Sequence, residues 1–202
     1  MKGRFFETRD FCWEDIAESA RAGKARSTLR GGERLPVRLS GGEIEVEAAY
    51  DESGTLFFVY RQTAGLCAVS RNGCGGWADS ELRRLAASQL QRFPKELRSL
   101  MAERRNAEVI NGEEIAVRDR LFCLSAIQVT GERGYAGKNP GDTQLSVFRD
   151  PANRARASGY QIETWWTRTR SGADHYICVS ENGRLGTMAP FRLAGVIFAF
   201  TF

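Results

Sequence analysis

The 202-residue sequence has one histidine (His175) and five scattered cysteines, and each shortage removes a class of function. With a single imidazole, any Ser-His or Cys-His relay must pass through His175, and no nucleophile-elbow glycines surround a serine, so a catalytic triad is not expected. A zinc site draws on about four thiolate or imidazole ligands in tight pairs. Here the closest cysteines are Cys67 and Cys74, so neither a metal nor another cofactor is expected. The odd count of five cysteines, without an export signal, implies reduced thiols rather than a disulfide framework. No apolar run reaches the ~18–20 residues that span a bilayer, and MKGRFFETRDFCWEDIAE is broken by charge too early for a signal peptide. A soluble chain with no membrane span, cytoplasmic or virion-associated, is the expectation.

The composition, 42% hydrophobic and 27% charged, belongs to a globular chain with enough apolar surface for one compact domain over 1–202. The net charge of +4 hides a bias, because four lysines (Lys2, Lys24, Lys95 and Lys138) leave 25 of 29 basic residues as arginine. Arginine is the better fork for carboxylates and phosphates, although a GC-rich coding sequence produces the same bias. Acids are scattered among the bases and no basic stripe is interleaved with aromatics, so nucleic acid is not the first-choice partner.

Trp13, Ile16, Ala17 and Ala20 recur at helical spacing and Gly23 follows as a C-terminal cap, which predicts a helix over 12–22. From Arg34 to Arg61 the pattern alternates, with turn residues at Ser40-Gly41-Gly42 and Asp51-Glu52-Ser53-Gly54, as in a three-stranded meander. GLCAVSRNGCGG (65–76) lacks the lysine of a P-loop and the strand and acidic residue of a dinucleotide fingerprint, and reads as a plain loop. Helices are expected from Asp79 to Gln91 and from Pro94. Along them Arg83, Arg84, Arg92, Lys95, Arg98, Arg104 and Arg105 form either a solvated face or a dock for an anionic partner. Asn111-Gly112 between two short apolar runs signals a tight hairpin.

Leu121 to Val129 (LFCLSAIQV) reads as a buried central strand, and Thr130 to Gly159 as a long irregular segment of the kind that carries function. The last forty or so residues return to strands. Alternation predicts that one of Trp165 and Trp166 faces inward and the other outward, and the closing Gly195 to Phe202, with its apolar VIFAFTF, reads as one strand paired in a sheet.

The order of these signals resembles a family of bacterial and phage domains of unknown function. The residues that carry the likeness are Trp13-Glu14-Asp15-Ile16, Gly23-Lys24-Ala25, Ser80-Glu81-Leu82-Arg83, Asp119 to Ser125 (DRLFCLS), Trp165-Trp166-Thr167-Arg168-Thr169 and Gly195-Val196-Ile197-Phe198-Ala199. The likeness covers nearly the whole chain. That family is similar to a branch of the C-type lectin fold, in the group that includes formylglycine-generating enzymes and the variable proteins of diversity-generating retroelements.

The resemblance implies an α+β, C-type-lectin-like domain, with two or three helices packed on twisted, mostly antiparallel sheets and long irregular loops. Residues 1–64 would supply the N-terminal helix and meander, and 77–202 the lectin-like core. The enzymes of the group hold copper with two close cysteines near the C-terminus, whereas Cys178 is the sole cysteine after Cys123 here, so no such activity is expected. In retroelement-diversified relatives, variation falls on exposed C-terminal positions of a rigid fold. Tyr160, Ile162, Arg168, Arg170, Ser171, Ala173, Asp174, His175, Ile197 and Phe198 are the corresponding members of a ligand-binding face here. The expected partner is a protein or glycan on another cell or particle, bound without catalysis. A structural tail component and an enzyme using Cys178 are the alternatives.

Overall fold

The computed structural model describes residues 12–70, 75–172 and 174–202. The chain opens with α1 (Trp13–Arg21) and the single-turn α2 (Ala25–Thr28), then β1 (Arg34–Leu39), β2 (Gly42–Tyr50), β3 (Leu56–Tyr60) and β4 (Leu66–Cys67). Helices α3 (Glu81–Leu90) and α4 (Lys95–Leu100) precede the hairpin of β5 (Arg104–Ile110) and β6 (Glu113–Asp119), then β7 (Phe122–Cys123) and α5 (Ala126–Thr130). Seven strands complete the fold: β8 (Arg156–Ser158), β9 (Gln161–Glu163), β10 (Trp165–Arg170), β11 (Tyr176–Val179), β12 (Leu185–Met188), β13 (Ala194–Val196) and β14 (Phe198–Thr201).

Among the described residues these strands form two five-stranded sheets, ordered β1-β2-β3-β14-β7 and β12-β11-β10-β13-β4, and the separate hairpins β5-β6 and β8-β9. Every strand pairing is antiparallel except that of β10 with β13. The architecture is α+β with mostly antiparallel sheets and short helices. No described helix is long and apolar enough to cross a membrane.

Local chemistry accounts for many of these elements. β1 alternates exposed and buried residues, and its outer-edge position tolerates Pro36, which cannot donate to a ladder. The Ser80 side chain accepts from the Arg83 N–H and starts α3. The Asn111-Gly112 turn joins β5 and β6, with positive φ at both residues (53° and 87°), as the tight hairpin predicts.

The core of the first sheet is aromatic. Phe58 and Phe200 stack at 5.1 Å, Trp13 of α1 meets Phe58 edge-on at 5.2 Å, and Phe93 closes on Phe200 at 5.8 Å. Each phenylalanine so buried contributes roughly 1.5–3 kcal/mol.

Three expectations are corrected. Leu121 to Val129 is buried throughout, but only Phe122–Cys123 is strand, and α5 begins at Ala126. The reason is a capping box: Ser125 Oγ accepts from the Gln128 N–H while the Gln128 side chain accepts from the Ser125 N–H. Trp165 and Trp166 are both fully buried, because β10 is the middle strand of its sheet and is covered on both faces. The closing apolar run is two strands rather than one: β13 belongs to the second sheet and β14 to the first, with the chain crossing between them at Ile197. β14 lies against β3, so the N-terminal meander and the C-terminal third share one sheet.

Candidate ligand-binding surface

The middle of β10 holds a buried arginine cluster. Arg168 is 1% exposed, donates to the Ala107 carbonyl at 3.0 Å and pairs with Asp142, whose other oxygen accepts from Arg104 at 2.9 Å. Asp142 comes from the irregular segment, and this pairing pins that segment to the sheet. Arg168 therefore does not belong to a ligand face. A guanidinium in the centre of a covered strand must be paired, because leaving one unpaired costs several kcal/mol, on the order of ~3–5. Ile197 and Phe198 are likewise fully buried, Phe198 meeting the Tyr60 ring edge-on at 5.8 Å. Their place where the chain passes between the sheets removes them from the expected surface too.

The remaining expected residues separate to the two ends of β10. At the start lies the β8-β9 hairpin, where Ser158 opposes Gln161 and the two turn residues are Gly159 and Tyr160. Gly159 has φ of 58°, the positive value wanted at the first turn position of a type II′ hairpin. Tyr160 is fully exposed at the tip and Ile162 is 53% exposed.

The base of the hairpin is held firmly. Arg156 is 2% exposed, pairs with the buried Glu47 at 3.3 Å and covers the Phe148 ring at 5.0 Å. Burial pulls its pKa down to about 10, partly opposed by Glu47, so it stays charged at neutral pH. The Thr63 N–H donates to the Ala157 carbonyl, and the Thr63 hydroxyl donates to Glu163 at 2.8 Å.

At the far end of β10, roughly 20 Å away at ~3.3 Å per residue, Ser171 closes a loop by donating its N–H to the His175 carbonyl at 3.0 Å. Asp174 and His175 are exposed, Arg170 and Ser171 half-buried, and Ala173 lies outside the described residues. Lys138 Nζ donates to the Arg170 and Ser171 carbonyls, and a cavity of about 200 Å³ opens between Lys138, Arg170, Gly172 and the Val109–Asn111 end of the β5-β6 hairpin.

The sequence reading missed residues that the fold sets beside the first of these ends. Leu66 (58% exposed) lies on edge strand β4, opposite Gly195 of β13, and Phe191 and Leu193 (each 66% exposed) lead into β13. Of the six exposed large hydrophobics among the described residues, five (Leu66, Tyr160, Ile162, Phe191 and Leu193) fall on these neighbouring segments. Their signal in sequence is faint: apolar residues flanking Gly65, Pro190 and Gly195, where a strand is too short to bury both faces.

The titratable groups add little chemistry. Cys178 is 5% exposed and burial pushes its thiol up, away from the thiolate a nucleophile needs. Glu108 is 4% exposed, and burial raises its carboxyl although the Trp77 and Ala78 N–H groups donate to it. Among the described residues no three of His, Cys, Asp and Glu converge as metal ligands would.

The family comparison bears on the part of the chain that carries both ends of β10. The model of the family described as Domain of unknown function (DUF6273) matches residues 66–200. The chain belongs to that family. The match begins at Leu66 and takes in β4 to β13, so the exposed apolar segments and the buried arginine cluster are both parts of the DUF6273 domain. No curated protein and no solved structure matches the chain.

Proposed function

We propose that this member of the DUF6273 family is a recognition protein that binds a protein or glycan ligand through the surface around the β8-β9 hairpin. The observation that carries the reading is that five of the six exposed large hydrophobics among the described residues lie on the β8-β9 hairpin or on the strands and lead-in segment next to the start of β10, on a base fixed by Arg156, Glu47 and Thr63. Solvated apolar and aromatic groups on an ordered scaffold lose little entropy on contact, and exposed apolar patches mark interaction surfaces. A C-type-lectin-like fold suits the helices and mostly antiparallel sheets, and a role as the variable protein of a diversity-generating retroelement suits display on the C-terminal third.

Binding to intact bacterial cells and to a glycan array tests the proposal. Wild type should bind, and a variant carrying Tyr160→Ala, Ile162→Ala and Leu193→Ala should lose binding while its melting temperature barely moves. Equal binding by both would refute this surface. Diversification has its own test in the DNA beside the gene: a near-copy of the 3′ end that differs mainly at adenines, next to a reverse-transcriptase gene.

Catalysis by Cys178 is the competing reading, and thiol chemistry separates the two. Iodoacetamide should alkylate the exposed Cys12 readily and Cys178 far more slowly in the folded protein. Rapid labelling of Cys178 would favour the enzyme.

A further inference from the structure

A second surface lies away from the hairpin, where the end of β6 runs past α3. An open groove of about 510 Å³ there is lined by Arg83, Arg84, Arg118 and Arg120, over a floor that includes Ala87 and Leu90. Carboxylates pair with three of these arginines, Asp119 with Arg83, Glu103 with Arg120 and Glu81 with Arg84, which leaves one positive charge, on Arg118, without a counter-ion. Asp119 is occupied within the fold, accepting from Trp77 Nε1 at 2.8 Å, Arg83 Nε at 2.8 Å and Asn106 Nδ2 at 3.2 Å. Glu103 faces Arg120 at 3.4 Å and Glu81 pairs with Arg84, both exposed pairs that hold little energy and can yield to a ligand carboxylate.

The Arg118 side chain is exposed and makes no ion pair or hydrogen bond among the described residues. Its cross-strand partner is Arg105, and like charges placed directly opposite each other oppose pairing. Glu114 pairs with Arg105 and softens that repulsion from one side, while the Arg118 guanidinium has no such partner and is free to take one from outside the chain. The strand itself offers a second feature. β6 pairs with β5 alone, and among the described residues its outer edge makes no backbone hydrogen bond. An open edge presents alternating N–H and C=O groups in the register of a further strand.

We propose that the groove binds an extended acidic polypeptide segment, laid along the outer edge of β6 with its carboxylates on Arg118, Arg120 and Arg84. The open edge selects a peptide over other polyanions, because a phosphodiester backbone has no amide ladder to match it. The apolar floor takes the side chains that alternate with the acidic ones.

Fluorescence anisotropy on the full chain tests this with a fluorescein-labelled peptide of alternating glutamate and valine. The comparisons are a glutamine-valine peptide, a glutamate-valine peptide interrupted by proline, and single-stranded DNA. The glutamate-valine peptide should bind, weaken as salt rises, and lose about tenfold in affinity against Arg118→Glu. Arg118→Glu sets a carboxylate opposite Arg105 and should melt no lower than wild type, so the loss is not unfolding. Tyr160→Ala and Leu193→Ala should leave peptide affinity unchanged, which separates this site from the hairpin surface. Equal binding of the glutamine or proline peptide, tighter binding of DNA, or an unaffected Arg118→Glu would overturn the proposal.

Discussion

The middle of β10 and the hairpin that leads into it are built from the same kinds of side chain and use them in opposite ways. In the strand, Trp165, Trp166 and Arg168 are sealed: the indoles donate to the Arg154 and Cys67 carbonyls at 2.9 Å each, and the guanidinium to Ala107 and Asp142. In the hairpin and beside it, Tyr160, Ile162, Phe191 and Leu193 stand in solvent. Residue type therefore says little about role here, and position within the sheet decides it. A middle strand with neighbours on both sides consumes aromatics and arginines as structure, whereas a short edge strand or a turn leaves them available.

If that contrast is sound, substitutions on its two sides should divide cleanly between stability and binding. Phe198→Ala, in the fully buried passage between the sheets, should cost about 4 kcal/mol in urea denaturation. Arg168→Ala should cost about 3 kcal/mol, because Asp142 remains buried with Arg104 as its sole ion-pair partner. A change below ~1 kcal/mol at either site would mean that the interior is looser than its burial implies.

Glu108 sharpens the interior side through pH. Burial raises its carboxyl pKa in the folded chain above the ordinary 4.5, so the folded state holds its proton after the unfolded state has lost it. Stability then falls as pH climbs from 4.5 through the folded value. Glu108→Gln keeps an acceptor for the Trp77 N–H and removes the titration, so its stability relative to wild type should grow as pH rises from 4.5 through the folded value in urea melts. A constant difference across that range would mean that Glu108 ionises normally. The smallest expected effect on stability is at the hairpin tip, where Tyr160→Ala should move unfolding by less than ~0.5 kcal/mol while weakening ligand binding.

Local signals in the sequence foretell much of the fold. The alternation of β1, the Ser80 cap of α3 and the Asn111-Gly112 turn each depend on contacts a few residues apart, and each is observed. Ser125-Ala126-Ile127-Gln128 is also a legible capping box, hidden inside an apolar run that reads as one continuous strand. The candidate surface was less legible. Tyr160 and Ile162 are exposed as expected, though on a hairpin that the sequence did not announce, whereas Arg168 and Phe198 are interior because β10 and β14 have strands on both sides, and Ile197 because it sits at the crossing between β13 and β14. That neighbourhood is fixed by partners remote in sequence, such as Asp142 for Arg168, and no local period encodes it. Leu66 and Leu193 were missed for the converse reason, being apolar residues that no neighbour covers.

The passage of the chain from β13 to β14 at Ile197 has a consequence for how the molecule assembles. One short stretch finishes both five-stranded sheets, and in the first of them Ala199 pairs with Val59, far back along the chain. Neither sheet can close until that stretch docks, and loops of such length form slowly. Folding should therefore be slow and all-or-none, with the two sheets gaining amide protection together, and a partly made chain should leave β3 without one of its two neighbours.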